Sequence, residues 1–236
     1  TEVEEQVDLM YSLIHQQVDA IVLVPIDSKA LVQPVVEAVR KGIPVINIDI
    51  QLDAQLLEQA GVEVAFVGPD NFAAAYEVGK LLGKKLRNED KVAIIEGLAV
   101  ADNARQRKRG FIKAIEEKGL RLVASEPADW ETEKAAEVFQ AMWMRYPDLK
   151  AVYCSNDAMA LGVLQQMQEK KCYLPVVGFD NDAVMKEFLS TGKLVATADI
   201  FSSQMAVRGI EFALDVLEGR IENRGVHSTA YEIIKQ

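Results

Sequence analysis

Four polar residues stand at or near the ends of apolar runs, and their types suit one kind of chemistry. Asp49, Asn156 and Asp180 follow short apolar runs, and Arg105 lies in the segment after another such run. A carboxylate accepts hydrogen bonds from two neighbouring hydroxyls, whereas a guanidinium or an amide donates to two oxygens. A neutral polyol presents such hydroxyls, and its C–H faces can pack on the ring of Trp130. The pattern favours a binding site for a polyhydroxylated small molecule.

The elements that must position these residues alternate strictly between strand and helix. Strands are predicted at 20–25, 44–48, 64–67, 91–95, 120–124, 151–154, 174–178, 194–198 and 230–234, and helices in most of the intervals between them. Such alternation with right-handed crossovers is typical of doubly wound parallel sheets, which bind ligands outside the carboxyl ends of their strands. About nine strands are many for one sheet, so two smaller α/β domains are expected.

Several aspartates have a structural interpretation instead. Asp70, Asp157 and Asp182 precede predicted helices, where an aspartate usually caps the first turn. Asp49 and Asp180 directly end buried strands, where a carboxylate is costly unless a partner satisfies it. We therefore expect Asp70, Asp157 and Asp182 to be helix caps, and ligand contact and structural satisfaction both stay open for the other two.

Residue types for catalysis are poorly represented. The two histidines, His15 and His227, have no Ser or Cys nearby in a nucleophile-like turn, and no glycine-rich phosphate loop follows a strand. The turn 180–182, Asp-Asn-Asp, resembles that of haloacid-dehalogenase-like phosphotransferases, but there it opens the fold and here it lies late in the chain. The sequence predicts a protein that is not an enzyme, with no catalytic residue, cofactor or metal site.

Composition excludes further classes. The 236 residues carry a formal charge of −10, so phosphate backbones repel the chain and nucleic acid is not expected as a partner. No apolar run approaches the roughly 18–20 residues of a membrane span, and the acidic start at 1–5 is not a signal peptide. The two cysteines, Cys154 and Cys172, fall near opposite ends of parallel strands, about 15 Å apart, which predicts two free thiols.

Six segments carry a resemblance to a known family. They are GIPVI at 42–46 with Asp49, NARQRKRGF at 103–111, ASEPADW at 124–130, SNDAMALG at 155–162, VVGFD at 176–180 and GKLVAT at 192–197. In this order and spacing the chain resembles the type I, ribose-binding-protein-like sugar-binding proteins of ABC importers over nearly its whole length.

The resemblance implies a periplasmic, non-catalytic solute receptor with two doubly wound lobes, a flytrap that closes on a sugar in the cleft between them. The first lobe would comprise 1–68 and 201–229, and the second 69–200 and 230–236. The closed form would deliver a monosaccharide or sugar alcohol to the permease of an ABC importer or to a chemoreceptor. The implied ligand-binding residues are Asp49, Arg105, Trp130, Asn156, Phe179 and Asp180.

The sequence departs from the family pattern within the implied site. The arginine usual after the first aspartate is Ile50, and the glutamine expected in the third crossing is Ile200, next to Asp199. Both changes remove hydrogen-bond donors, and a site that bonds hydroxyls rejects analogues that leave its polar groups unpaired. We therefore expect a ligand other than ribopyranose: a different pentose, a sugar alcohol or a modified sugar.

The beginning of the chain also departs from the family. Relatives begin with a strand, a helix and a second strand that do not occur in this sequence, so the first lobe is expected to be incomplete. The missing first strand would be central to that lobe, and its loss would expose apolar surface at 20–24. Two explanations stay open: the chain is a fragment of a longer protein, or a partner covers that surface.

Two other classes share the predicted fold. The effector-binding core of a lactose-repressor-type transcription regulator is the first alternative, although 174–176 and 197–201 lack its usual patterns. The sensor domain of a membrane kinase is the second. Residues upstream of the chain would discriminate among the three classes.

Overall fold

The computed structural model of the protein describes residues 2–235, which divide into two compact units. The first unit comprises the segment through Pro69 with Val100–Asn103 and Phe201–Ala230. The second comprises Asp70–Ala99, Ala104–Ile200 and the segment from Tyr231 onward.

The first unit is a parallel sheet with helices on both faces. Its elements are α1 (Glu2–Gln16), β1 (Ile21–Leu23), α2 (Val32–Arg40), β2 (Val45–Ile48), α3 (Ala54–Gln59), β3 (Phe66–Pro69), α9 (Ser202–Leu217) and β9 (Val226–Thr229). Its strands run in the order β1-β2-β3-β9, and every neighbouring pair is parallel.

Two apolar layers hold this sheet between its helices. Met10 and Ile14 of α1 pack with Val35 and Val36 of α2 against one face. On the other face α9 lies so close to β2 that a Cβ on Gly209 would stand 2.7 Å from Ile48. The strand β1 is at the edge of the sheet formed by residues 2–235, with Ile21 and Leu23 buried and Val22 and Val24 more than a third exposed. A strand whose burial alternates in this way has only one well-covered face.

The second unit is a six-stranded sheet with helices between its strands. Its elements are α4 (Asn71–Gly83), β4 (Lys91–Glu96), α5 (Asp102–Lys118, its first two residues belonging to the first unit), β5 (Arg121–Pro127), α6 (Thr132–Arg145), β6 (Ala151–Cys154), α7 (Asp157–Glu169), β7 (Val176–Val177), α8 (Met185–Ser190), β8 (Leu194–Asp199) and β10 (Glu232–Lys235). The strands lie in the order β10-β8-β7-β6-β4-β5.

Alternate residues of its central strands face opposite helix layers. Val152 and Cys154 belong to the apolar cluster that includes α6 and α7, whereas the ring of Tyr153, between them in sequence, packs 5.3 Å from that of Phe111 on α5. Both faces of β6 are therefore buried, as expected of a central parallel strand.

The doubly wound α/β fold class is confirmed, with one departure in direction. The final strand β10 runs antiparallel to β8. It begins with Glu232 opposite Asp199, the last residue of β8, so the chain re-enters the sheet at the end where β8 leaves it. An antiparallel edge strand on an otherwise parallel sheet is a common arrangement.

One of the three predicted aspartate caps is confirmed and two are wrong. Asp70 caps α4 by accepting a hydrogen bond from the Ala73 amide. The cap of α7 is Asn156, because its side-chain oxygen accepts from the Met159 amide, and Asp157 is the first helical residue. Asp182 lies before the first turn of α8, whose N-cap position is Val184.

Candidate functional site

The carboxyl ends of β5, β6 and β7 in the second unit carry a cluster of polar and aromatic side chains. Asn156 follows β6 by two residues and Asp180 follows β7 by three, while Trp130 lies in the loop after β5. This is the edge of an open α/β sheet at which ligands bind. With Phe179, which precedes Asp180, four of the six predicted site residues thus lie at this edge of one unit.

The centre of this cluster is Arg107, which sequence reasoning did not select. Its side chain is 3% exposed. The guanidinium donates hydrogen bonds to the Asn71 side-chain oxygen at 2.9 Å and to the Ser155 carbonyl oxygen at 2.9 Å. It also forms an ion pair with Asp180 at 3.3 Å. A buried arginine held at three points keeps its planar fork in a fixed orientation.

Two aromatic rings flank the same guanidinium. Its central carbon lies 3.7 Å from the centre of the Phe179 ring and 5.5 Å from that of Trp130. Both distances are within the range of a cation–π interaction. Phe179 has no exposed surface, so in this structure its ring supports Arg107 and does not form an open packing face for a ligand. Trp130 is partly exposed, so its ring can form such a packing face.

The backbone around Trp130 is built to present its ring. Asp129 and Trp130 both have positive φ angles, 50° and 72°, which non-glycine residues adopt at a cost. Gly97, directly after β4, leaves the space that the indole fills, because a Cβ there would stand 2.1 Å from the ring. An ion pair between Asp129 and Lys134 further fixes the loop. The position of the ring therefore depends on residues of two different loops.

Asn156 and Asp180 offer complementary groups at the cluster. The side-chain oxygen of Asn156 is used as the cap of α7, so its NH₂ group is the part that can donate to a ligand. Asp180 has a φ of 109° and its side chain is 31% exposed, with one oxygen toward Arg107. A carboxylate has lone pairs for several donors, so this pairing leaves acceptor capacity for ligand hydroxyls.

Asp49 belongs to the first unit. It follows β2, has a φ of 63°, and its amide donates to the Val67 carbonyl oxygen at 3.2 Å. The carboxyl end of β2 is the position at which a doubly wound sheet presents ligand-binding side chains.

The structure separates Arg105 from Arg107. Arg105 is partly exposed and donates to the Ala99 carbonyl oxygen at 3.1 Å. Two residues of helix correspond to a rotation of about 200°, so the two arginines point to nearly opposite faces of α5. The guanidinium that joins Asp180, Phe179 and Trp130 is therefore that of Arg107.

A signal for Arg107 does exist in the sequence. Ala104, Phe111 and Ala114 are buried on one face of α5, and Arg107 occupies the same helical stripe at spacings of three and four residues. An arginine inside an apolar stripe must find partners in the interior. Periodicity alone would thus have distinguished it from Arg105.

The most perturbed carboxyl near the cluster is Asp157. Burial raises its pKa to about 7, and the nearby charges of Asp180 and Asp182 act in the same direction. Hydrogen bonds from the Asp182 amide and the Thr197 hydroxyl oppose this effect. Within residues 2–235, no group of three His, Cys, Asp or Glu side chains is arranged to hold a metal ion, and no helix is long and apolar enough to span a membrane.

The cluster is equipped for binding, because its fixed guanidinium, its carboxylate and its amide can hold hydroxyl groups while an indole covers an apolar face. The protein-family model that describes the periplasmic binding protein domain matches residues 1–221 of the chain. The chain therefore belongs to the periplasmic binding protein family.

Curated relatives agree with this family. The chain is 41% identical to the D-ribose/D-allose-binding protein of Pseudomonas aeruginosa, over 99% of its own length and 75% of that protein. It is 34% identical to the D-allose-binding periplasmic protein of Escherichia coli, over 90% of its length and 70% of that protein.

Solved structures agree in fold. An ABC transporter solute-binding protein of Burkholderia multivorans matches with a TM-score of 0.95 and 39% identity, covering 100% of this chain and 84% of that one. A periplasmic solute-binding protein of Actinobacillus succinogenes with bound D-allose matches with a TM-score of 0.92 and 32% identity, covering 99% and 84%. The predicted family and the non-catalytic class are confirmed, since these relatives are solute-binding proteins.

Proposed function

We propose that this protein is a periplasmic receptor that binds a monosaccharide and delivers it to the permease of an ABC importer. The observation that carries the proposal is the buried guanidinium of Arg107, fixed by Asn71 and the Ser155 carbonyl and paired with Asp180 at the carboxyl ends of the strands. Such a donor array, combined with a partly exposed indole, matches the hydroxyl edge and the C–H face of a sugar ring.

The ligand is an aldose with the configuration that D-ribose and D-allose share at C2, C3 and C4. Support comes from the relatives in Pseudomonas aeruginosa and Escherichia coli, which bind D-ribose or D-allose. Ile50 and Ile200 lie where family members carry an arginine and a glutamine, so fewer donors are available than in the ribose-binding pattern. Because this departure implies a ligand other than ribopyranose, and a relative binds D-allose, we expect D-allose to bind more tightly than D-ribose.

Each site residue has a distinct role in this proposal. Arg107 and Asn156 donate to sugar oxygens, Asp180 accepts from hydroxyls, and Trp130 packs on the C–H face. Asp49 keeps the ligand-binding role that the family resemblance implies for it. These roles require no chemical step, and ligand affinity comes from satisfied hydrogen bonds in a site that excludes water.

The role of Phe179 is indirect, because its fully buried ring supports the Arg107 guanidinium. Arg105 has no sugar contact in this proposal, because it lies on the face of α5 opposite to that of Arg107.

Isothermal titration calorimetry tests the proposal. The purified protein is titrated with D-allose, D-ribose, D-arabinose and xylitol, and the expected order of affinity has D-allose first. Absence of measurable binding to every sugar in this panel would contradict the proposed function.

A matched pair of variants tests the site. Arg107→Lys keeps the charge but loses the planar fork, and loss of charge-assisted hydrogen bonds at about 1.5–3 kcal/mol predicts a Kd increase of roughly 10- to 150-fold. Arg105→Lys on the opposite helix face should change the Kd by less than about threefold. The reverse ranking would assign the sugar-binding role to Arg105.

A further inference from the structure

The turn 178–182 carries two residues of the proposed sugar site in an unusual backbone conformation. The ring of Phe179 lies 3.7 Å from the Arg107 guanidinium, and Asp180 forms an ion pair with it at 3.3 Å. Asp180 and Asn181 have φ angles of 109° and 59°, and two consecutive non-glycine residues in this region are strained. Such a turn persists only when its surroundings hold it.

The group that holds it is the carboxylate of Asp157, which has no exposed surface. One of its oxygens accepts from the Asp182 amide at 2.8 Å, and the other accepts from the Thr197 hydroxyl at 2.9 Å. The Thr197 oxygen in turn accepts from the Asn181 amide at 3.2 Å. The Asp157 carboxylate thus accepts directly from the Asp182 amide, and it is linked to the Asn181 amide through the Thr197 hydroxyl.

Packing on the other side of the turn points to the same group. A Cβ on Gly178 would stand 2.0 Å from an Asp157 oxygen, so the carboxylate occupies the space that a side chain would need. The Asp157 amide donates to the Phe179 carbonyl oxygen at 2.7 Å. Asp157 therefore contacts the turn at Gly178, at Phe179 and at Asp182, on both sides of Asp180.

The fold maintains this carboxyl at a cost. It is buried, and the two charged groups of the turn nearest to it, Asp180 and Asp182, are also acidic; burial raises its pKa to about 7. An apolar residue at this position would avoid that cost but would leave the Asp182 amide and the Thr197 hydroxyl without this acceptor.

We propose that Asp157 is a positioning residue for sugar binding: it fixes the turn 178–182 and thereby sets the position of Asp180 and Phe179 against Arg107. It makes no contact with the sugar. This inference rests on the proposed function, because the effect is read as sugar affinity.

Three variants test the positioning role by calorimetry with D-allose. Asp157→Asn keeps one acceptor oxygen and replaces the other with an NH₂ donor, and Thr197→Val removes the hydroxyl that links the carboxylate to Asn181. At pH 8, where the carboxyl is ionised, each should raise the Kd roughly tenfold, the value of one charge-assisted hydrogen bond. Thr197→Ser keeps the hydroxyl and should restore affinity to within about threefold of the original. Equal affinities for Asp157→Asn and the unchanged protein would overturn the proposal.

A double-mutant cycle separates positioning from general destabilisation. If Asp157 acts through Asp180, then Asp157→Asn should change the Kd much less in an Asp180→Asn background than on its own. Met167→Ala, at the other end of the same helix, should lower the unfolding midpoint without changing the Kd. An equal effect of Asp157→Asn in both backgrounds would contradict action through Asp180.

Hydrogen exchange of the sugar-free protein distinguishes failure of this inference from failure of the proposed function. The amides of Asn181 and Asp182 should lose protection in Asp157→Asn. If no sugar bound, the proposed function would fail while the exchange result still decided whether Asp157 holds the turn. Unchanged protection of both amides would refute the positioning role by itself.

Discussion

Replacement of Asp157 by asparagine should change how the stability of the second unit depends on pH. The carboxyl is buried, and its pKa is raised from 3.8 to about 7, mainly by burial. Between about pH 4 and pH 7 the folded protein therefore holds a proton that the unfolded chain has released. The free energy of unfolding falls as the pH rises through this interval, and the loss is complete above the folded-state pKa.

The size of the effect follows from the difference between the two pKa values. At 1.36 kcal/mol per pH unit, a change from 3.8 to about 7 corresponds to a total loss of about 4 kcal/mol. About 3 kcal/mol of this falls between pH 5 and pH 8. Asparagine does not titrate, so the unfolding free energy of Asp157→Asn should lack this loss. The difference between the two proteins should therefore change by about 3 kcal/mol in favour of the variant from pH 5 to pH 8.

Urea unfolding followed by tryptophan fluorescence measures this difference. Both tryptophans, Trp130 and Trp143, lie in the second unit, so the signal reports on the unit that contains Asp157. The unfolding free energies of the two proteins are compared at pH 5, 6, 7 and 8 in the absence of sugar. Parallel stability curves, within about 0.5 kcal/mol, would refute the statement that this carboxyl is destabilised by burial.

A control comes from an exposed carboxyl of the same unit. A hydrogen bond from Lys91 lowers the pKa of Asp148, so its contribution to stability is present above its unfolded-state pKa and is lost only as the pH falls below it. Asp148→Asn should therefore leave the slope between pH 5 and pH 8 unchanged. A slope like that of Asp157→Asn would show that the difference does not come from burial.

Two further predictions concern the space around the site and the thiols. Gly97→Ala should weaken sugar binding at least tenfold in calorimetry, because the added Cβ would collide with the Trp130 ring and displace it. If the variant bound sugar as tightly as the unchanged protein, the position of this ring would not be required for binding. A disulfide reagent should modify Cys172 before Cys154, because Cys154 is fully buried. Burial, followed by the charge of Asp157, also raises the pKa of the Cys154 thiol and so lowers its reactivity. Faster modification of Cys154 would contradict its burial.

The sheets could be predicted because their central strands are continuous apolar runs. All nine predicted strands occur in the structure. The strand β9 at 226–229, Val-His-Ser-Thr, has no such run because its side chains are mostly exposed, so pairing with β3 and not burial makes it a strand. The six-residue helix α3 was missed for a similar reason, since none of its residues is buried.

The end of β6 shows what residue type alone does not determine. Asn156 and Asp157 are both favourable N-cap residues, and the sequence does not say which one caps α7. In the structure Asn156 is the cap, whereas the Asp157 carboxylate accepts from the Asp182 amide and the Thr197 hydroxyl. Those two donors come from the turn after β7 and from β8, 25 and 40 residues along the chain.

The two arginines of α5 show how far the sequence determines the residues of the site. The rule for open α/β sheets points to the edge of the second unit at which Asn156, Asp180 and Trp130 lie, because it depends only on where strands end. Arg105 is predicted from its place after the strand at 91–95 and from the family resemblance, and a shift of two residues along a helix turns the side chain by about 200°. Helical periodicity restricts the choice, since only Arg107 shares the face of Ala104 and Phe111. Its partners Asp180 and Phe179 then require a guanidinium at this position, which neither periodicity nor strand ends reveal.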